Sequence, residues 1–354
     1  MNTDEYYARY VSNTLAGTSN QLFYNQDKSA TAYAFYRIFA PGRFNYSFLY
    51  TNTVDGTYSD GSISKCNDSC GKWRIESLSV SVTKEITTAV LPETPLTFAG
   101  EKSKTVLPDE KFFTDGISLD VKSDEYLRIK IVYHGERVPC HVENQIPTFK
   151  DEGNGFKSDK LLPLPSMTGV ERKVEKRVVF WGDSITQGIG CKENSYRHYN
   201  AVCAKALGEK YSFWNIGIGF GRATDAATDG AWAQKAVNCD TAIVCFGVND
   251  INKVRDYKKI TDAYDKIVKI LSGKQVIFQC VPPFDYNKEQ GGLWLKLNDY
   301  INNEISKKVF AVFNPCPILS DEKDIFRAKY GGHPNEEGSL LWGTALADFL
   351  RNKL

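Results

Sequence analysis

Residues 177–188, RVVFWGDSITQG, decide how the chain is read. The unbroken apolar run Val178-Val179-Phe180-Trp181 suits a strand covered on both faces, as in a parallel sheet. Gly182 permits a tight backbone, and a helical pattern follows, so the strand passes into a helix. A serine on such a turn, Ser184, presents its hydroxyl at the C-terminal end of the strand, close to the free amides of the helix. Taken alone, a Gly-Asp-Ser is more often only a helix cap.

Working outward, the same alternation continues toward the C-terminus. YSFWNIG (211–217), DTAIVCFG (240–247), KQVIFQCV (274–281) and VFAVFN (309–314) read as further strands. Between them Tyr257, Ile260, Tyr264, Ile267 and Leu271 recur at amphipathic-helix spacing. The last helix is expected to begin at HPNEE, with Asn335 as cap and Glu336 and Glu337 at its positive end, and to bury Leu341, Ala345 and Phe349. Five strands alternating with helices predict a three-layer α/β/α sandwich on a parallel five-stranded sheet, whose chemistry belongs at the C-terminal strand ends.

Toward the N-terminus the period changes from helical to two. Phe44, Tyr46, Phe48 and Tyr50 alternate, and so do Trp73 and Ile75, after which the phase slips near Ser77 before Leu78, Val80 and Val82, as a β-bulge would allow. ISLDV (117–121) and LRIKIVYHG (127–135) continue the pattern between turn-rich segments. This half reads as an antiparallel β-sandwich, jelly-roll-like. The turn-rich segment 53–62 either joins two strands or reaches toward the strand-end loops of the second half. Residues 147–172 lose periodicity and are expected to be the connection, which divides the chain into 1–165 and 166–354.

Composition limits the partners. The 354 residues carry 44 Lys+Arg against 43 Asp+Glu, a net charge of +1, so no global field draws nucleic acid or an anionic membrane. No apolar run approaches the ~20 residues that a bilayer crossing needs. The first residues, MNTDEYYARY, lack the features of a secretory signal, and the nine cysteines form no regular framework, so free thiols and a cytoplasmic location are expected. Cys66 and Cys70 are closely spaced but lack two further ligands, so no metal is expected there.

Three more strand ends carry chemistry-bearing residues. Asn215-Ile216-Gly217-Ile218-Gly219-Phe220-Gly221 is glycine-rich, but its spacing is not that of a dinucleotide-binding loop. Phe246-Gly247-Val248-Asn249-Asp250 ends the third strand, where an asparagine amide can donate to a developing oxyanion. Gly331-Gly332-His333-Pro334-Asn335 holds a histidine just before the last helix. His134, His141 and His198 lie in the β-rich half or within a helical stretch.

These four segments, in this order and each after a strand, resemble the GDSL/SGNH hydrolase family over residues ~177–354. The resemblance implies Ser184 as nucleophile, His333 as its general base, and an oxyanion hole from the Ser184 amide, a second-segment amide and the Asn249 side chain. Gly219 is the preferred second-segment donor, with Phe220 and Gly221 as alternatives. The family usually has an aspartate three residues before the histidine, and here that position is Tyr330. Three readings follow: a Ser–His dyad with a backbone carbonyl on the imidazole, a carboxylate from elsewhere with Asp321 and Asp324 nearest in sequence, or lost catalysis.

A β-sandwich ahead of such a domain is similar in layout to the family-two carbohydrate acetyl esterases. That resemblance implies an O-acetyl esterase acting on acetylated saccharides, without cofactor or metal, with a small-molecule or oligosaccharide ester as partner. Trp181, Trp214, Trp294 and Trp342 are candidates for a sugar platform or for core packing. A short-chain lipid acylhydrolase or thioesterase, and a silent carbohydrate-binding protein, are the competing readings. The aromatic-rich β-half also leaves room for a homo-oligomer.

Overall fold

The computed structural model describes residues 1–56 and 64–354. Its N-terminal part consists of two antiparallel sheets. In one, Gly42–Thr51 pairs with Met167–Val170 and with Lys111–Phe113 and Ile117–Val121, and Val11–Ser12 extends it. In the other, the long strands Leu22–Arg37 and Tyr126–Cys140 pair at the centre, flanked by Trp73–Thr83 and Thr148–Asp151. Tyr46, Phe48 and Tyr50 from the first sheet and Ala32, Ala34, Ile129 and Ile131 from the second are buried in one continuous core. The phase slip in the Trp73 strand is a real bulge: Ile75 faces Tyr133 while Ser77 faces Val132, which leaves Glu76 as the extra residue.

The stretch 147–172, expected to be a connection, is largely sandwich. Thr148–Asp151 and Met167–Val170 each add a strand, to different sheets. They escape a periodicity reading because strands this short span only one or two alternations, and Met167–Val170 is buried on both faces. Of the segment 53–62, residues 57–62 lie outside the described residues, and so does the question of where that turn reaches.

The C-terminal part is a parallel sheet of five strands: β1 (Arg177–Gly182), β2 (Ser212–Asn215), β3 (Thr241–Cys245), β4 (Gln275–Gln279) and β5 (Ala311–Phe313), in the order β2-β1-β3-β4-β5. The order reverses beside β1, so the crevice above its C-terminal end is where a ligand is expected in such a sheet. Helices pack on the sheet, and Tyr257–Ile270 turns Ile260, Tyr264 and Ile267 inward. The final helix, Glu336–Leu350, is capped by Asn335 as expected, its side chain accepting from Glu337 N and Gly338 N. Its buried face is instead Ser339, Trp342, Gly343, Leu346, Ala347 and Leu350, while Leu341 is exposed. The every-fourth-residue reading chose a stripe one position off because Leu340 and Leu341 are apolar but lie on the solvent side.

The two parts are sewn together by residues 13–21, buried throughout. Thr18 N and Oγ1 both donate to Asn215 O, Ser19 Oγ donates to Ile216 O at 2.9 Å, and Trp214 Nε1 donates to Thr18 Oγ1 at 2.8 Å. A buried ion pair joins Lys235 Nζ to Asp55 at 2.5 Å across the same boundary. Among the described residues no helix is long and apolar enough to cross a membrane.

Candidate active site

At the end of β1, Asp183 caps the single helical turn Ser184–Gln187, its carboxylate accepting from Ile185 N at 2.9 Å. Burial pushes the Asp183 carboxyl up to about 7. Ser184 is the first residue of that turn, so its amide has no intrahelical acceptor. The turn is pinned from below: Asn200 and Asn215 both donate their side-chain amides to Thr186 O, at 2.7 and 2.9 Å.

The second segment follows β2. Asn215 Oδ1 accepts from Gly217 N at 2.9 Å, and Gly221 N donates to Ile218 O at 3.1 Å, which closes a turn with Phe220 at φ 60. The Gly221 amide is therefore spent within the turn, while the Gly219 amide has no acceptor among the described residues and Gly219 lines the crevice. After β3, Gly247 adopts φ 135, a conformation that favours glycine, and delivers Asn249. Asn249 Nδ2 donates to Gly221 O at 3.0 Å, and Asp250 next to it accepts from Ala223 N at 2.8 Å. These two bonds lock the third segment to the second.

His333 enters from the turn before the last helix. Its Nε2 lies 2.8 Å from Ser184 Oγ. Gly190 holds φ 102 against the histidine's backbone, where a Cβ would stand 2.7 Å from His333 O. Burial lowers the imidazole's pKa below its ordinary value, so the ring is neutral and able to accept a proton near neutral pH.

Neither carboxylate named as a source of the missing acid reaches the imidazole. Asp321 Oδ1 accepts from Lys323 N and Asp324 N, and Asp324 Oδ1 accepts from Phe326 N, so both organise their own exposed turn. No backbone carbonyl takes a hydrogen bond from His333 Nδ1 among the described residues. Tyr330 instead packs against Gly338 at the start of the last helix, and its carbonyl accepts from Asn335 N at 3.0 Å.

Ser184, His333, Gly219 and Asn249 meet in one cavity of about 410 Å³. Its apolar walls are Val142, Ile189, Phe220 and Phe284, and its polar lining includes Gln21, Gln187, Asn252 and Lys253. Three of these, Gln21, Val142 and Phe284, come from segments that the sequence reading did not single out. All six tryptophans are buried, so none offers a sugar platform; the aromatic faces at the crevice are Phe220 and Phe284. The other histidines are elsewhere: His134 pairs with Glu76, His198 Nε2 faces Leu15 O, and His141 is buried. All nine cysteines are free, and no group of metal-binding side chains occurs among the described residues.

Residues 180–341 match the model of the GDSL-like lipase/acylhydrolase family. No curated protein sequence matches the chain. Among solved structures it is similar to a family two carbohydrate esterase from Clostridium thermocellum in complex with cellohexaose, at 14% identity and TM-score 0.40 over 97% of this chain and 98% of that one. It is also similar to a family two carbohydrate esterase from Cellvibrio japonicus, at 13% identity and TM-score 0.40 over 97% and 94%. A third is an acetyl xylan esterase from the rumen bacterium Butyrivibrio proteoclasticus, at 14% identity and TM-score 0.37 over 100% and 97%. Residues 180–341, set behind a β-sandwich, are thus similar to the GDSL-like lipase/acylhydrolase family, and that match supports a carboxylic ester hydrolase.

Proposed function

We propose that the chain is a serine esterase that removes short acyl groups, foremost O-acetyl, from saccharides. The observation that carries this reading is the 2.8 Å approach of His333 Nε2 to Ser184 Oγ inside a cavity that also holds free amide donors. A serine hydroxyl is a weak nucleophile until a base accepts its proton, and neutral His333 is placed to do that.

Ser184 Oγ attacks the ester carbonyl carbon as His333 Nε2 takes its proton. The carbonyl oxygen becomes an oxyanion held by the Ser184 and Gly219 amides and by Asn249 Nδ2. The tetrahedral intermediate collapses, the bond to the alcohol oxygen breaks, and His333 returns the proton to that oxygen. Water, deprotonated by His333, then attacks the acyl carbon, the bond to Ser184 Oγ breaks to release the acid, and His333 returns the proton to Oγ. His333 works as a dyad partner of Ser184, its ring held by packing. A cavity of about 410 Å³ with apolar walls and several side-chain amides suits a small acyl group on a hydroxyl-rich alcohol.

The test is release of acetate from acetylated sugars, with p-nitrophenyl acetate and octanoate compared alongside. Acetate release abolished by Ser184→Ala, with the acetyl ester cleaved faster than the octanoyl, is expected. Faster cleavage of the octanoyl ester, or activity unchanged in Ser184→Ala, would overturn the reading.

A further inference from the structure

Gln21 is the last residue of the buried segment that joins the two parts of the chain. Its backbone is fixed by N–H donation to Cys140 O at 2.9 Å, and the residue is only 2% exposed. Its neighbours in that segment satisfy their side-chain amides: Asn13 Nδ2 donates to Ala40 O, and Asn20 Nδ2 donates to Thr51 O and Thr53 O. The Gln21 amide has no partner among the described residues. It lines the cavity that holds Ser184, and a Cβ placed on Gly219 would stand 3.0 Å from both its nitrogen and its oxygen. Gln187 flanks the same spot: its Nε2 donates to Val142 O at 2.7 Å, while its Oε1, 3.3 Å from the same Cβ position, has no partner among the described residues.

An amide that faces a cavity without a protein partner is free to bond a ligand, and a ligand that displaces water there without bonding to it leaves it unpaired. Whichever way the amide is turned, Gln21 presents one donor and one acceptor side by side, with a further acceptor on Gln187. The group that satisfies a donor and an acceptor at one point is a hydroxyl. An alkyl chain in that place would leave the amides unpaired.

We infer that Gln21 is a specificity-determining residue, supplied by the N-terminal part, that hydrogen-bonds a free hydroxyl next to the esterified oxygen of the substrate. The β-sandwich thereby completes the substrate site of the hydrolase domain. This rests on the esterase reading above and narrows its substrate class to esters of vicinal hydroxy compounds.

The experiment measures kcat/KM on an acetylated sugar with a free neighbouring hydroxyl, on the same ester with that hydroxyl replaced by hydrogen, and on p-nitrophenyl acetate. Wild type should prefer the hydroxylated ester by about 10- to 100-fold. In Gln21→Leu that preference should fall to near unity, with kcat/KM on the hydroxylated ester falling about 10-fold or more beyond any change on the deoxy ester or on p-nitrophenyl acetate. Equal loss on all three esters would overturn the inference by making Gln21 a general requirement for catalysis or folding. Absence of the preference in wild type would overturn it without any variant. Wild-type turnover of p-nitrophenyl acetate, lost in Ser184→Ala, separates either failure from a failure of the esterase reading itself.

Discussion

The phenyl ring of Phe284 stands edge-on to the imidazole of His333, with centroids 5.2 Å apart and planes at 79°. Phe284 also abuts Gly332, where a Cβ would come within 3.1 Å of its ring. The imidazole is therefore held by an aromatic edge, while Gly190 packs against the histidine's backbone. A ring held by packing does not need an ion pair to keep its Nε2 on the serine.

That arrangement makes Asp321 and Asp324, the aspartates nearest ahead of His333 in sequence, dispensable. Asp321→Asn and Asp324→Asn should each keep kcat/KM within about three-fold of wild type, whereas deleting a true triad aspartate costs ~10⁴. Steady-state kinetics on p-nitrophenyl acetate decides it, and a loss of ~10³ in either variant would show that one of them swings onto the imidazole.

The pH profile follows from the direction of the histidine shift. The base must be neutral to accept the Ser184 proton, and burial lowers its pKa, so the neutral form persists to lower pH than for a free histidine. The acid limb of kcat/KM should therefore have its midpoint below about 6.5, the usual histidine value. A midpoint above that value would mean that an anion stabilises the imidazolium.

Asn249 carries the side-chain donor of the proposed oxyanion hole while its backbone is locked through Asp250. Asn249→Ala should lower kcat by ~10²–10³ and leave KM nearly unchanged, because the oxyanion exists only in the transition state. Thermal unfolding of the variant, followed by circular dichroism, should stay close to wild type. A change confined to KM would remove Asn249 from that role.

The boundary between the two parts contains a prediction about stability. Asp55 and Lys235 pair at 2.5 Å with side chains 0% and 1% exposed, and Asp55 also accepts from Asn20 N at 2.7 Å. Removing one member strands the other as a buried charge. Lys235→Met should cost ~3–5 kcal/mol in urea unfolding, and a loss under ~1 kcal/mol would show that water reaches the pair.

Much of this was legible in the sequence because parallel strands buried on both faces leave continuous apolar runs: RVVFWG at 177–182 is β1 residue for residue. The cap at Asn335 and the bulge beside Ser77 were legible too, since each leaves a local chemical mark. The buried segment 13–21 was not. NTLAGTSNQ is polar and aperiodic, and its burial is made possible by bonds to residues some two hundred positions away, such as Asn215 and Ile216. Gln21 and Phe284 reach the crevice only through the tertiary fold, so no spacing in the chain announces them. The same holds for the imidazole's support, which the sequence framed as a choice among hydrogen-bond acceptors and the fold supplies as an aromatic edge.

The central claim is that Ser184 is a nucleophile activated by His333. Its most direct measurement is covalent labelling by a fluorophosphonate, read by mass spectrometry of the digested protein. The account predicts one adduct, on the peptide containing Ser184, absent in Ser184→Ala and formed ~10³-fold or more slowly in His333→Ala. An adduct on another residue, or labelling of Ser184 at an undiminished rate in His333→Ala, would contradict it.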